Sequence, residues 1–200
     1  MSTSSRLNSS GAVMEMAWIR TVSKDKASGR TKIVYDRIMK ERGHLANIFV
    51  AQGLDPDVLE EHLDLYEILM IDPGPLSREE REMIAVIVSA ANRSAYGAIH
   101  HSEALEKVDK NPEALYVLIK ELMSKKESPR EKALLAYAAK LTLSPKDITK
   151  EDIKDLKDAG LTDEEILRAN LIAGYFNFSN RVALGLGVEL EEGTARTYKY

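Results

Sequence analysis

The stretch NRSAYGAIHH (92–101) concentrates polar chemistry in ten residues. Two adjacent histidines follow a tyrosine one turn earlier. Ser94 and Gly97 stand in the three-residue spacing at which redox proteins carry a Cys-x-x-Cys pair, yet the 200-residue chain contains no cysteine. A thiolate nucleophile, a disulfide and a cysteine metal site are thereby excluded. The stretch reads as a thiol site without sulfurs, as a site for other chemistry, or as part of a core.

As a helix starting at Ser94, whose hydroxyl can cap it, the stretch has two faces. Ser94, Gly97, Ala98, His101 and Leu105 share one. Tyr96, His100, Glu103 and Lys107 share a second, more polar one. His101 is thus expected on the small, apolar side and His100 on the wetter side. Adjacent helical residues diverge by about 100°, so the two imidazoles are badly placed to chelate one ion. A metal would have to recruit carboxylates such as Glu82, and neither a metal nor a cofactor is expected. A glycine in mid-helix costs about 1 kcal/mol relative to alanine. Gly97 therefore fits a close packing contact, a lost side chain or a pocket that needs room.

The elements that must position these residues are all helical. Asp55-Pro56, Asn111-Pro112 and Ser128-Pro129 each place a capping side chain before a proline at the first helical position. Ser77–Glu80, Ser128–Glu131 and Thr162–Glu165 have capping-box spacing, and Gly43, Gly74 and Gly160 lie near helix stops. Helices are predicted over 28–42, 56–71, 77–91, 94–109, 112–126, 129–142, 150–159 and 163–185. Almost nothing alternates with period two. The prediction is one all-α domain over 17–200, preceded by a Ser-rich, disordered tail over 1–16.

Two of these helices read as buried on most sides. MIAVIVSAA (83–91) is apolar nearly all round, with Glu82, Ser89 and Arg93 on one face. The helix over 163–185 carries a polar stripe of Asn170, Gly174, Asn177 and Arg181. Such a stripe needs partners, water or a ligand; an interhelical hydrogen-bond network and a ligand-facing wall both satisfy it. EEH (60–62), KELMSKKE (120–127) and the terminal TYKY carry no chemistry on this reading. The first two are expected as solvated helix faces.

The composition, 44% hydrophobic and 30% charged with a net charge of −4, is that of a globular protein and gives no footprint for nucleic acid. The longest apolar run is far too short to span a bilayer. No secretory signal is visible, and a cytoplasmic location is expected.

LSREEREMIAVIVSAANRSAYGAIHHSEAL (76–105) resembles the signature region of the carboxymuconolactone decarboxylase and alkylhydroperoxidase D superfamily. GHLANIFVAQGLDPDVLEEHLDLYEILM and YFNFSNRVALGLGVELE resemble its peroxidase-related branch. The resemblance implies an alkylhydroperoxidase D-like fold of about seven to eight helices that assembles with itself as dimers, trimers or hexamers. Thiol members of that superfamily use a glutamate, two cysteines and a histidine four residues after the second cysteine. The glutamate falls on Glu82, the cysteines on Ser94 and Gly97, and the histidine on His101. The acid–base frame is present and both sulfurs are absent, so disulfide-type peroxidase activity is not expected.

Two functions follow from this frame. In a non-redox acid–base enzyme of the decarboxylase or lactone type, a buried Glu82 with a raised pKa and His101 would carry protons. Tyr96 or Ser94 would donate to a developing enolate, and the space vacated at Gly97 would form part of the pocket. Arg93, His100, Asn177 and Arg181 would bind a small anionic ligand. In a non-catalytic oligomer, Glu82 and His101 would persist as a buried hydrogen-bonded pair.

Overall fold

Local signals set most helix boundaries. The computed structural model describes residues 16–103 and 128–191. Among them are eight α-helices and no strand: α1 (Gly29–Arg42), α2 (Asn47–Ala51), α3 (Pro56–Tyr66), α4 (Arg78–Ala91), α5 (Ala95–Glu103), α6 (Pro129–Leu143), α7 (Lys150–Asp158) and α8 (Asp163–Leu186). The all-α expectation holds. The helix expected over 112–126, the end of that over 94–109, TYKY, and all but the last residue of the N-terminal tail lie outside the described residues. No helix among the described residues is long and apolar enough to cross a membrane.

The caps explain the agreement. Ser77 Oγ accepts from the Glu80 amide at 3.1 Å while Glu80 Oε2 accepts from the Ser77 amide at 2.8 Å, closing a capping box on α4. Thr162 and Glu165 do the same for α8. Gly43, at φ 70°, ends α1 with its amide on the Met39 carbonyl. Ser128 stands at the N-cap of α6 without a side-chain cap bond. There Pro129, which has no N–H to satisfy, carries the start signal alone.

The helix expected over 56–71 is not uniform. Its α pattern stops at Tyr66, and Glu67–Ile71 form one π turn, closed by the Asp72 amide on the Glu67 carbonyl at 2.9 Å. Arginines take the carbonyls this turn leaves open. Arg168 Nη1 donates to Ile68 at 2.6 Å, and Arg78 Nη1 and Arg81 Nη1 donate to Met70 at 2.9 and 3.0 Å. Apolar periodicity carries no trace of this, because the acceptors are backbone atoms.

The described residues form two compact units, one of residues 16–59 with 185–191 and one of 60–103 with 128–184. In the first, the buried Tyr35 hydroxyl donates to the Val22 carbonyl at 3.0 Å, and burial pushes its pKa up to about 12. The two stretches meet through the Trp18 amide on the Leu186 carbonyl and the Glu189 amide on the Met16 carbonyl.

The second unit is built around α4, which is buried from Glu80 to Ala90 as its all-round apolar sequence predicts. It packs on α5 and α6. Ile84 and Ile87 of α4 share a core with Leu134 and Leu135 of α6 and Ile172 and Phe176 of α8. Arg130 of α6 ties three helix ends together. It donates to Glu80 at 2.7 Å, to Glu165 at 2.6 and 3.1 Å, and to the Gly160 carbonyl at 3.2 Å. Its loss strands two poorly exposed carboxylates. Arg130→Met should lower unfolding free energy by about 2 kcal/mol, the scale of hydrogen bonds to charged groups, as read by urea denaturation.

Candidate active site

The residues singled out between 82 and 101 come together because α4 turns into α5 within three residues. The Ser94 amide donates to the Ser89 carbonyl at 2.8 Å and the Arg93 amide to the Ala90 carbonyl at 2.9 Å. These two bonds define a Schellman motif, whose central position is left-handed. Arg93 occupies it at φ 57°, a conformation that costs a non-glycine residue about 1 kcal/mol. Ser94 then caps α5, its Oγ accepting from the Gly97 amide at 3.3 Å. Arg93 lies beyond the end of α4 and is exposed, so it does not continue the Glu82–Ser89 face.

Glu82 and His101 form the centre of the site. His101 Nδ1 lies 2.7 Å from Glu82 Oε2, with both residues buried. Arg78, one turn before Glu82, places Nε and Nη2 at 2.7 and 2.6 Å from the other carboxylate oxygen, Oε1. Burial alone raises the Glu82 pKa, but the nearby His101 and Arg78 outweigh it and hold the carboxyl below its ordinary value. The expectation of a raised pKa is thus overturned: Glu82 is a carboxylate held charged by two basic partners. An ionised Glu82 accepts from Nδ1–H and leaves Nε2 as the other ring nitrogen. The imidazole packs edge-on to Phe176, with ring centroids 4.5 Å apart, and tilted to Tyr66 at 6.3 Å.

Gly97 corrects a second expectation. A Cβ built there would collide with Asn180 Oδ1 and stand 2.6 Å from Ser89 Oγ. Those side chains are themselves joined, Asn180 Nδ2 donating to Ser89 Oγ at 3.1 Å, and both are buried. The place is therefore not vacated space in a pocket. Glycine there lets α5 approach α4 and α8 closely, which offsets its helical penalty.

The other sequence-predicted residues scatter. His100 is buried, not on a wetter side, and its ring lies 4.3 Å from that of Tyr96. The polar stripe on α8 forms an interhelical network. Asn177 Oδ1 accepts from Asn92 at 3.0 Å and from Arg181 at 2.8 Å, and its Nδ2 donates to Thr142 at 3.0 Å. Asn170 donates to the Tyr137 hydroxyl at 2.8 Å. His62, read as part of a solvated face, is buried with Nε2 at 2.7 Å from the Tyr175 hydroxyl. Sequence reasoning missed Arg78, Tyr66 and Phe176. Only Arg78 had a usable signal, its place four residues before Glu82.

Two measurements test this geometry. Gly97→Ala should destabilise the protein by about 1–3 kcal/mol through overpacking; a melting temperature equal to that of the parent would refute the close contact. Glu82→Gln should cost roughly 3 kcal/mol at neutral pH by leaving the Arg78 guanidinium and the buried His101 Nδ1–H without their carboxylate. Because the folded pKa of Glu82 is depressed, that contribution is complete above its ordinary value of 4.5 and is lost as pH falls through the lower folded value. The stability gap between parent and variant should therefore close on acidification.

No curated protein matches the sequence detectably. In structure, the chain is similar to an alkylhydroperoxidase AhpD core, a peroxidase-related protein from Ralstonia eutropha JMP134, with 24% identity, TM-score 0.76, and 93% of this chain and 100% of that one covered. A peroxidase-related protein from Silicibacter sp. TM1040 matches with 24% identity, TM-score 0.73, and 93% and 95% coverage. A debrominase in complex with 2,3,4-tribromopyrrole matches with 20% identity, TM-score 0.67, and 88% and 92% coverage. These likenesses describe the fold. The family model for the carboxymuconolactone decarboxylase family matches residues 56–140, which include α4, α5 and the Glu82–His101 pair. Over that segment the chain is similar to the carboxymuconolactone decarboxylase family, and its fold is that of the alkylhydroperoxidase D-like proteins.

Proposed function

We propose that this protein is a non-redox acid–base enzyme acting on small unsaturated or lactone-type organic molecules. The observation that carries the reading is the 2.7 Å contact between His101 Nδ1 and Glu82, which directs the remaining nitrogen, Nε2, away from the carboxylate. His101 is the proton carrier, and Glu82 orients the ring and stabilises the imidazolium. In an isomerisation Nε2 removes a proton from carbon next to a carbonyl, an enolate forms, and the same nitrogen returns the proton at another enolate carbon. In a decarboxylation the electrons of the breaking C–C bond form the enolate as CO2 leaves, and the protonated ring delivers the proton that quenches it.

Tyr66 and Phe176 give the imidazole an aromatic surround, which suits a flat, apolar ring. The debrominase relative, which holds 2,3,4-tribromopyrrole, supports the same substrate shape. Ser94 caps α5 and is wholly buried, so we assign Tyr96 rather than Ser94 as the donor to the enolate. We assign exposed Arg93 as the cation that meets an anionic group. Thiol-based peroxide reduction is excluded by the absence of cysteine.

A non-catalytic, self-associating protein is the second reading. Leu167, Leu171 and Phe178 support it, since they lie 59, 47 and 44% exposed along one face of α8. The two readings separate in one experiment, in which carboxylated lactones and pyrrole-type rings are incubated with the protein in deuterium oxide and deuterium incorporation is followed by mass spectrometry. The enzyme reading expects incorporation that falls at least about 100-fold in His101→Gln. Incorporation absent throughout the panel, or unchanged by that substitution, would sink it in favour of the second reading.

A further inference from the structure

Between α3 and α4 the chain does something its sequence pattern does not require: it inserts a π turn immediately after a residue that touches the site. Tyr66 precedes the turn and packs against the His101 ring. Met70, within the turn, offers its carbonyl to Arg78 Nη1 at 2.9 Å. The opposite edge of the same guanidinium holds Glu82 Oε1. One rare backbone element thus meets the acid–base pair from both sides, through a ring on the histidine and through an arginine on the carboxylate. π turns of this kind recur at functional sites because they re-aim side chains at a local cost in helix regularity.

The guanidinium is held in place. It is planar, and its donors are fixed relative to one another. With Nη1 on Met70, Nε donates to Oε1 at 2.7 Å and the guanidinium charge lies against that same oxygen. A carboxylate with one oxygen pinned cannot spin freely about its terminal torsion, so its second oxygen has a defined direction. Oε2 lies 2.7 Å from His101 Nδ1. The Met70 carbonyl is in turn shared with Arg81, which also bonds the Asp72 carbonyl at 2.8 Å. The turn's exit is therefore clamped by a second, buried arginine that does not touch Glu82 in any described hydrogen bond.

We propose that Arg78, anchored on the Met70 carbonyl of the π turn, is a positioning residue that fixes His101 in the Nδ1–H tautomer by pinning Glu82. A free imidazole distributes its proton between both nitrogens. Here the pinned carboxylate accepts at Nδ1, and Nε2 is left as the lone-pair nitrogen that the acid–base reading requires. The inference rests on that reading for its use, but the tautomer is a property of the resting protein and is measurable without a substrate.

The test is nitrogen-15 NMR of the histidine side chains at about pH 9, above the ordinary imidazole range, with His101 assigned from the spectrum of His101→Gln. The parent should show one His101 tautomer, with a protonated Nδ1 and an unprotonated Nε2. Arg78→Met should show a mixture. Arg168→Met removes a different guanidinium from the same turn, the one on the Ile68 carbonyl, and should keep the parental tautomer. If Arg78→Met does not fold, Arg78→Gln, which keeps a donor of shorter reach, is read in the same way.

A parental tautomer retained in the Arg78 variant overturns the proposal. So does an equal disturbance in Arg168→Met, which would make the effect a general loosening of the turn. Failure of the deuterium-exchange assay with an Arg78-dependent tautomer intact would reject the acid–base reading and leave this inference standing.

Discussion

A carboxylate buried in the second turn of α4, where its charged start meets its apolar run, constrains the second unit more than any other group. Glu82 has 2% of its surface exposed. Burying such a charge without partners is far too costly to tolerate, and a buried group of this kind either neutralises or gathers cations and hydrogen-bond donors. It has gathered them. Arg78 comes from its own helix and His101 from the next, so α5 must lie where its second histidine reaches α4. Arg78 in turn reaches back to the π turn, which fixes how α3 leads into α4. The placement of three successive helices answers to one oxygen pair.

The close approach at Gly97 belongs to the same geometry. For His101 to meet Glu82, α5 must lie near α4 over its whole first turn, and the tightest point falls one turn before His101. There Ser89 and Asn180 fill the space with a hydrogen bond between their side chains. Relative to the Cys-x-x-Cys arrangement that the sequence resembles, the second sulfur position holds no side chain at all, and its neighbours leave none room. The chemistry has changed in more than two side chains: the surroundings are packed for glycine.

Much of the architecture was legible in the sequence because it is written in local signals. Ser77 with Glu80, Thr162 with Glu165, and Gly43 each satisfy or terminate backbone groups within a few residues, so spacing alone identifies them. The buried character of 83–91 was legible from composition. The Glu82–His101 pairing was not available from spacing and came from family resemblance. What stayed hidden depended on distant backbone or on ring packing. The Met70 and Ile68 carbonyls call for arginines that no pattern flags. His62 looks like a surface residue beside two glutamates until Tyr175, far along the chain, supplies its partner. Gly97 was compatible with both a void and a tight contact, and only the positions of Ser89 and Asn180 separate them.

The Schellman joint at Arg93 has a further meaning for how this chain can change. Its two backbone bonds fix the number of residues between the last turn of α4 and the cap of α5. One extra residue there would rotate α5 by about 100°, swinging His101 off Glu82 and turning a side chain into the slot that Gly97 keeps clear. A single insertion would break the Glu82–His101 contact and create a clash at once, whereas substitutions at Arg93 itself leave the count intact. The joint therefore behaves as a ruler: sequence drift is open to it in residue type and closed to it in length.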